Sequence, residues 1–512
     1  MTSRRKVIQY TYDSDSIEDS ENGHGTGMAG IICGESLGGG HPEHLGVAPG
    51  AKIALYDAST SSANIGPLSD NLDTYYDVAA TTGAKLYSAS WGNRYDDYVA
   101  RDVVNDQYAV DNDFLLIAAV GNYQASANNK VFSPGRSKNA LTVGSSGTSG
   151  VDDPNSLSYF SCTGPTSDGR FGVDILAHGV DVFAPKSSGS TTETCEVSSR
   201  TGTSSSTAAV AGAAALVQEY FQNPSFWAAS CNQEYAFCQA GAVNPKTILV
   251  KTILIHSGQD VGNSLAYPGN EQGFGRVQLD EVLEYGGVST AGLDLFIEEV
   301  TLSKNSVLNW TVVVASNTIP LKATIAWVDP ANIVSASKQL LNDVDLRIVD
   351  QSGTITYGNN NAAGDSYNNV EMARIASPTP GIYTISVSIG ALGSGSAQAV
   401  TLVVTSYGEV GDVLDPTGSP STVRTSKPSR FPSGEPSGIP TIRPSGEPSS
   451  IPTHQPNYNR PSRRPIFVYT GAPVAAPTPT APVATSSPVS TPVAAPVDKS
   501  PTIKPTINYI RN

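Results

Sequence analysis

Apolar and polar positions follow two rhythms along this chain, then lose all rhythm. Over residues 1–287, short β-rich runs alternate with stretches of helical periodicity. The pattern predicts strands at 52–57, 85–90, 114–120 and 140–145, and helices at 68–82, 95–111, 204–221 and 245–257. That alternation is the signature of an α/β unit built on a parallel sheet. Between 288 and 410 the helical period disappears. Strand-like runs at 311–316, 321–328, 345–349, 383–387 and 399–406 are separated by Gly, Asn, Asp and Pro turns, which predicts an all-β sandwich of the jelly-roll kind. Residues 411–512 hold 21 of the 35 prolines, eight of them at every fourth position from Pro428 to Pro456. Such a composition buries too little apolar area to offset chain entropy, so a disordered, extended Pro/Ser/Thr-rich tail is expected. Its Ser/Thr density also suits O-glycosylation and association with a cell surface or wall. An inert linker would have the same composition.

Charge divides along the same boundaries. The 512 residues carry a net −15; from residue 411 onward ten Lys/Arg face five Asp/Glu, which is +5, so the first 410 residues carry −20. A body that acidic is a poor partner for nucleic acid. No run approaches 18 apolar residues, so no membrane span is expected. Five Cys are too few for a disulfide-built scaffold. The start, Met1-Thr-Ser-Arg-Arg-Lys-Val, lacks the apolar core of a secretory signal. Either the chain is cytosolic, or its natural N-terminus lies upstream.

Three segments supply parts of a hydrolytic site. In Thr201-Gly-Thr-Ser204, the serine opens an Ala-rich helical run, where free backbone N–H groups are able to stabilise an oxyanion. A serine there is also the common N-cap. In Asn22-Gly-His24-Gly-Thr-Gly-Met, a Gly-flanked histidine precedes a helix expected from Met28 to Cys33. In Gly121-Asn122, the asparagine ends the apolar run of residues 114–120, a place that also suits a turn former.

Taken in order, the His-Gly-Thr box, Ser90-Trp-Gly92, Gly121-Asn122 and Gly-Thr-Ser204 resemble the subtilisin-like serine proteases, the S8 class. Ser158-Tyr-Phe-Ser-Cys-Thr-Gly-Pro and Gly273-Phe-Gly-Arg-Val277 are similar to further stretches of that family, so the likeness runs through residues 20–285. It implies a serine endopeptidase with Ser204 as nucleophile, His24 as general base and Asn122 as oxyanion donor. Ser90, Trp91, Gly92 and Gly121 would line the bound substrate, with Ala119 and Ser133 as pocket walls. The implied partners are polypeptides, the implied setting is extracellular or secretory, and the chemistry requires no cofactor.

Residues 322–329, 341–346 and 368–371 resemble the C-terminal β-domain of the large oxidatively stable alkaline proteases. That likeness implies a structural calcium ion at Asp343 and Asp345, whose oxygens are hard donors. A polar turn beside a solvated strand face would use the same residues.

The sequence departs from the family in three places. Ser205-Ser-Thr-Ala208 replaces the usual Met-Ala-Thr-Pro, and Gly27 replaces a non-catalytic histidine. The family's Asp-Thr/Ser-Gly box is missing before His24. Asp13, Asp15 and Asp19 lie in a polar stretch and are expected to be loop residues, while residues 5–10 resemble the strand after the one carrying that aspartate. The N-terminus is therefore expected to be truncated, with the first strand upstream of Met1. The alternative is a catalytically impaired, protease-like binding or anchoring protein. Gly-Thr-Ser-Ser-Ser also resembles the sedolisin serine box, but His24 and Asn122 argue against that group. Cys231 with Cys238, and Cys162 with Cys195, are expected to pair, leaving Cys33 as a buried thiol.

Overall fold

The computed structural model describes residues 5–12, 19, 23–36, 41, 43–57, 70–95, 97–122, 130–148, 153–190, 194–223, 243–262, 264–283, 293–413 and 507–511. In chain order the first unit comprises β1 (Val7–Tyr12), α1 (His24–Cys33), β2 (Lys52–Asp57), α2 (Asp73–Ala80), β3 (Leu86–Ala89), α3 (Ala100–Asp111), β4 (Leu115–Ala119) and β5 (Leu141–Ser146). It continues with β6 (Ile175–His178), β7 (Val182–Pro185), β8 (Val197–Arg200), α4 (Thr203–Gln222) and α5 (Thr247–His256). The strands β9 (Asp294–Ser303), β10 (Val307–Val314), β11 (Leu321–Ala326), β12 (Asn342–Val349) and β13 (Ile355–Tyr357) follow. After them come β14 (Val370–Ile375), β15 (Gly381–Leu392), β16 (Ala397–Ser406), β17 (Gly408–Val413) and β18 (Ile507–Arg511).

The central sheet has the order β1-β2-β18-β3-β4-β5-β6. β1 pairs parallel with β2, and β3 to β6 pair parallel in sequence order. Every residue of β3, β4 and β5 is buried, which explains their continuous apolar or small runs: both faces are covered. α4 lies inside the unit rather than on it, and its small residues allow that. A Cβ added at Gly212 would stand 2.6 Å from Val47 Cβ.

Element boundaries shift where side chains intervene. The helix expected from residue 95 begins only at Ala100, because Asp102 Oδ2 accepts the Val99 N–H at 2.9 Å and caps it there. α1 starts at His24, four residues before the expected Met28. Strands β6 to β8, β9, β13 and β14 escaped the sequence pattern. Three of them are only four residues long, and others are interrupted by charged positions.

Beyond residue 293 two antiparallel sheets, β13-β12-β15-β10-β17 and β14-β11-β16-β9, share a core that includes Trp310, Trp327, Leu346, Ile385 and Leu402. This is the sandwich the turn spacing predicts. It does not stand alone. Ile297, Ala326, Met372 and Val403 join the core of the first unit. The buried His256 imidazole at the end of α5 lies between Thr324 Oγ1 at 2.9 Å and Thr405 Oγ1 at 2.8 Å.

Two expectations need correction. Residues 411–413 and 507–511 lie in strands rather than in an unstructured tail. The end of β17 pairs along β10, and β18 runs antiparallel between β2 and β3. Strand edges carry unpaired N–H and C=O groups, which a further strand satisfies. The expected Cys162–Cys195 pair does not form. Cys162 is buried beside Phe132 and Val173, with burial pushing its thiol up to about 12, while Cys195 is exposed before β8. Cys33 is free and buried as expected. Cys231 and Cys238 lie outside the described residues. Among the described residues no helix is long and apolar enough to cross a membrane.

Candidate active site

Open α/β sheets bind ligands at the carboxyl ends of their strands. Here β3 ends at Ala89 and delivers Ser90, and β4 ends at Ala119 and delivers Gly121 and Asn122. Gly121 has φ +108, and a Cβ there would fall 2.7 Å from the Phe132 ring, so only glycine fits. The N-terminus of α4 enters the same rim, with Gly202 as N-cap and Thr203 as the first helical residue. Its first turn points backbone N–H groups toward the rim, where the Thr203 N–H is taken by Asn122 Oδ1.

Asn122 and Ser204 are tied to this junction from opposite sides. Asn122 Oδ1 accepts the Thr203 N–H at 2.8 Å and Thr203 Oγ1 at 2.9 Å. Two donors on one atom identify it as the oxygen and leave the Nδ2 donor beside Gly202. Ser204 Oγ donates to Ser90 O at 3.1 Å, and Ser90 Oγ returns a bond to Ser204 O at 3.0 Å. The end of β3 and the start of α4 are therefore stitched in both directions.

His24 arrives on a different helix. α1 packs along α4, and His24 is the first residue of α1. Gly23 has no side chain to cap that helix. Asp19 supplies the cap, its Oδ2 accepting the Thr26 N–H at 2.9 Å and Thr26 Oγ1 at 2.7 Å. Arg200, the last residue of β8, donates from Nη2 to Gly23 O and to Pro185 O, each at 3.3 Å. Burial, with the Arg200 charge adding to it, lowers the His24 imidazole to about 4. The histidine is thus neutral at pH 7.

The rim around these groups is mostly backbone. Trp91 is only 1% exposed and carries the Arg101 guanidinium carbon 5.2 Å from its ring centre, so its side chain faces inward. A Cβ at Gly92 would meet Phe132 Cβ at 2.8 Å. Ser133 is buried as well, and its hydroxyl donates to Asp102 Oδ1 at 2.7 Å. The structure therefore brings Ser90, Gly121, Asn122 and Ser204 together, sets His24 on the neighbouring helix, and turns Trp91 and Ser133 into supports. Arg200 and Asp19 are the additions. Arg200 stands four residues before Ser204, a visible cue, but its closeness to His24 is a product of folding.

Asp343 and Asp345 lie on β12, in the sandwich. Burial raises the pKa of both, reinforced by neighbouring carboxylates that include Asp365. Asp343 Oδ1 and Glu371 Oε1 are buried oxygens without hydrogen-bond partners. These atoms suit a hard cation. Among the described residues, however, no three of these carboxylates come within 4.8 Å of one another. An ion here would need carbonyl oxygens or water as well.

The subtilase family model matches residues 2–275, more than half of the chain. The serine protease/ABC transporter B family protein tagA of Dictyostelium discoideum is 24% identical over 494 residues, covering 75% of this chain and 28% of that protein. The chain spans little more than a quarter of that relative. Subtilisin BL of Lederbergia lenta is 33% identical over 207 residues, covering 40% of this chain and 65% of that protein. The protease domain of PatA, solved as a point mutant, aligns at TM-score 0.40 and 20% identity over 54% of this chain and 86% of that one.

Proposed function

Since the chain belongs to the subtilase family, we propose that it is an extracellular serine endopeptidase acting on polypeptides. The observation that carries this is the junction of Ser204 with Asn122 at the entrance of α4. Ser204 Oγ leaves Ser90 O, gives its proton to His24 and attacks the scissile carbonyl. The resulting oxyanion accepts from the Ser204 N–H and from Asn122 Nδ2. His24 then protonates the leaving amine as the C–N bond breaks, and water releases the acyl group from Ser204 by the same sequence. The substrate strand lies along the backbone of Ser90–Gly92 and Gly121.

A fluorophosphonate probe tests this directly. Wild type should be labelled, and Ser204→Ala should lose labelling together with roughly 10⁴-fold or more of kcat. A folded wild type that takes no label overturns the proposal. One observation favours a second reading, that of a non-catalytic peptide-binding member held at a surface by its Pro-rich tail. The cation of Arg200 beside His24 opposes the imidazolium on which turnover depends. Peptide binding without labelling would select that reading.

For Asp343 and Asp345 we propose a calcium ion completed by carbonyl oxygens and water, a fit supported by the unpartnered Asp343 Oδ1. Chelation by EGTA should lower Tm by about 5 °C, from a linkage of about 2–3 kcal/mol near 100-fold saturation. Asp343→Asn should remove that difference. An unchanged Tm in wild type counts against the ion.

A further inference from the structure

The loop after α1 gathers the one group of three or more metal-ligating side chains found among the described residues: His41, Glu43 and His44. We propose that these three residues form a binding site for a divalent cation of the zinc class. Its protein ligands are His41 Nδ1, His44 Nε2 and one Glu43 oxygen, and water takes the fourth position.

The distances carry the proposal. Glu43 Oε1 is 3.2 Å from His41 Nδ1 and 3.6 Å from His44 Nε2, and all three ligand atoms lie within 4.8 Å of one another. Zinc bonds of about 2.0–2.2 Å in tetrahedral arrangement set ligand-to-ligand edges of about 3.3–3.5 Å. Two of the three edges are therefore near their bound length already. The third, between the two imidazole nitrogens, is within 4.8 Å.

His41 and His44 are also held in place without an ion. The His44 N–H donates to His41 O at 3.1 Å, and the His41 N–H donates to Ser36 Oγ at 3.2 Å. The His44 ring stacks on Phe183, with centroids 5.0 Å apart and planes 10° from parallel. That stack fixes the ring plane, which decides where Nε2 points. Two imidazoles and one carboxylate match the preference of Zn²⁺, Co²⁺ or Ni²⁺, whereas Ca²⁺ and Mg²⁺ favour all-oxygen shells. The side chains keep between 26% and 58% of their surface exposed, so the ion exchanges freely with solvent. Phe183 belongs to β7, whose Pro185 packs on Gly30 of α1. A bound ion would thus tie the loop that follows α1 to the strand beneath that helix.

The test uses the full chain carrying Cys195→Ser, which removes the one exposed thiol found among the described residues. Titration with Co²⁺ should give the visible absorption of a tetrahedral complex. Calorimetry with Zn²⁺ should show one site, with affinity falling at least about tenfold in His44→Ala and in Glu43→Gln as a ligand is lost. Circular dichroism would confirm that both variants remain folded, since all three side chains are exposed enough to change without touching a core. Absence of Zn²⁺ binding below millimolar concentration would overturn the proposal. So would binding that His41→Ala, Glu43→Gln and His44→Ala all leave unchanged, because the ion would then sit elsewhere.

Discussion

Arg200 is the side chain that most changes the chemistry expected of this site. In the proposed mechanism, a guanidinium beside His24 would disfavour the imidazolium formed when Ser204 gives up its proton. His24, lowered to about 4, is neutral throughout the neutral range, the form the proposed general base requires. Its protonation would cut the rate only in strong acid. Replacing Arg200 by Gln retains a donor for Gly23 O and removes the charge. Burial, the larger cause of the shift, remains in this variant, so the His24 pKa should rise only part of the way back to its ordinary value, and the acid limb of kcat/KM should move to higher pH with it. A pH–rate profile of Arg200→Gln checks this; an unmoved limb would mean that burial alone sets the base. The boxes that carry Ser204, Asn122 and His24 are legible in the sequence because each is short and distinctive. Arg200 was not, since 176 residues separate it from His24 and no local pattern records their meeting. Asp19 was expected in a loop, and its carboxylate turned out to cap α1 at Thr26.

At the level of elements, α1 and α4, which carry His24 and Ser204, are thin because they are enclosed. Gly30 of α1 faces β7, where an added Cβ would lie 2.1 Å from Pro185 Cδ. Helix propensity alone makes Gly→Ala favourable by about 1 kcal/mol. Overpacking costs about 1–3 kcal/mol and acts in the opposite direction. Gly30→Ala should therefore lower Tm, as a thermal melt would register; a higher Tm would show that α1 and β7 separate freely. The helical period in the sequence located α3, α4 and α5, yet the start of α3 depended on a carboxylate that the period does not see. Short strands such as β7 and β8 offered too few residues for an alternation to register.

Across the whole molecule, the first unit and the sandwich are locked by a buried ion pair. Lys138 Nζ and the Asp329 carboxylate are both fully buried and in contact, and Lys138 also donates to Gln339 O at 2.9 Å. Removing one partner of such a pair leaves a charge without solvent or counter-ion. Asp329→Ala should therefore cost about 3–5 kcal/mol, whereas Lys138→Met with Asp329→Leu should recover most of it. Urea unfolding of both variants tests the lock, and equal losses in the two would locate the cost in packing instead.

By itself the sequence determined the fold class, the division into an α/β part and a β part, and the order of the hydrolytic boxes. These properties are local, written in periods of two and 3.6 residues and in runs of a few neighbours. Only the tertiary structure decided that Lys138 meets Asp329, that Arg200 meets His24, that Cys162 and Cys195 stay apart, and that β18 enters the sheet between β2 and β3. These depend on where distant segments cross. Burial and the pairing of backbone groups fix such crossings, and no local pattern encodes them.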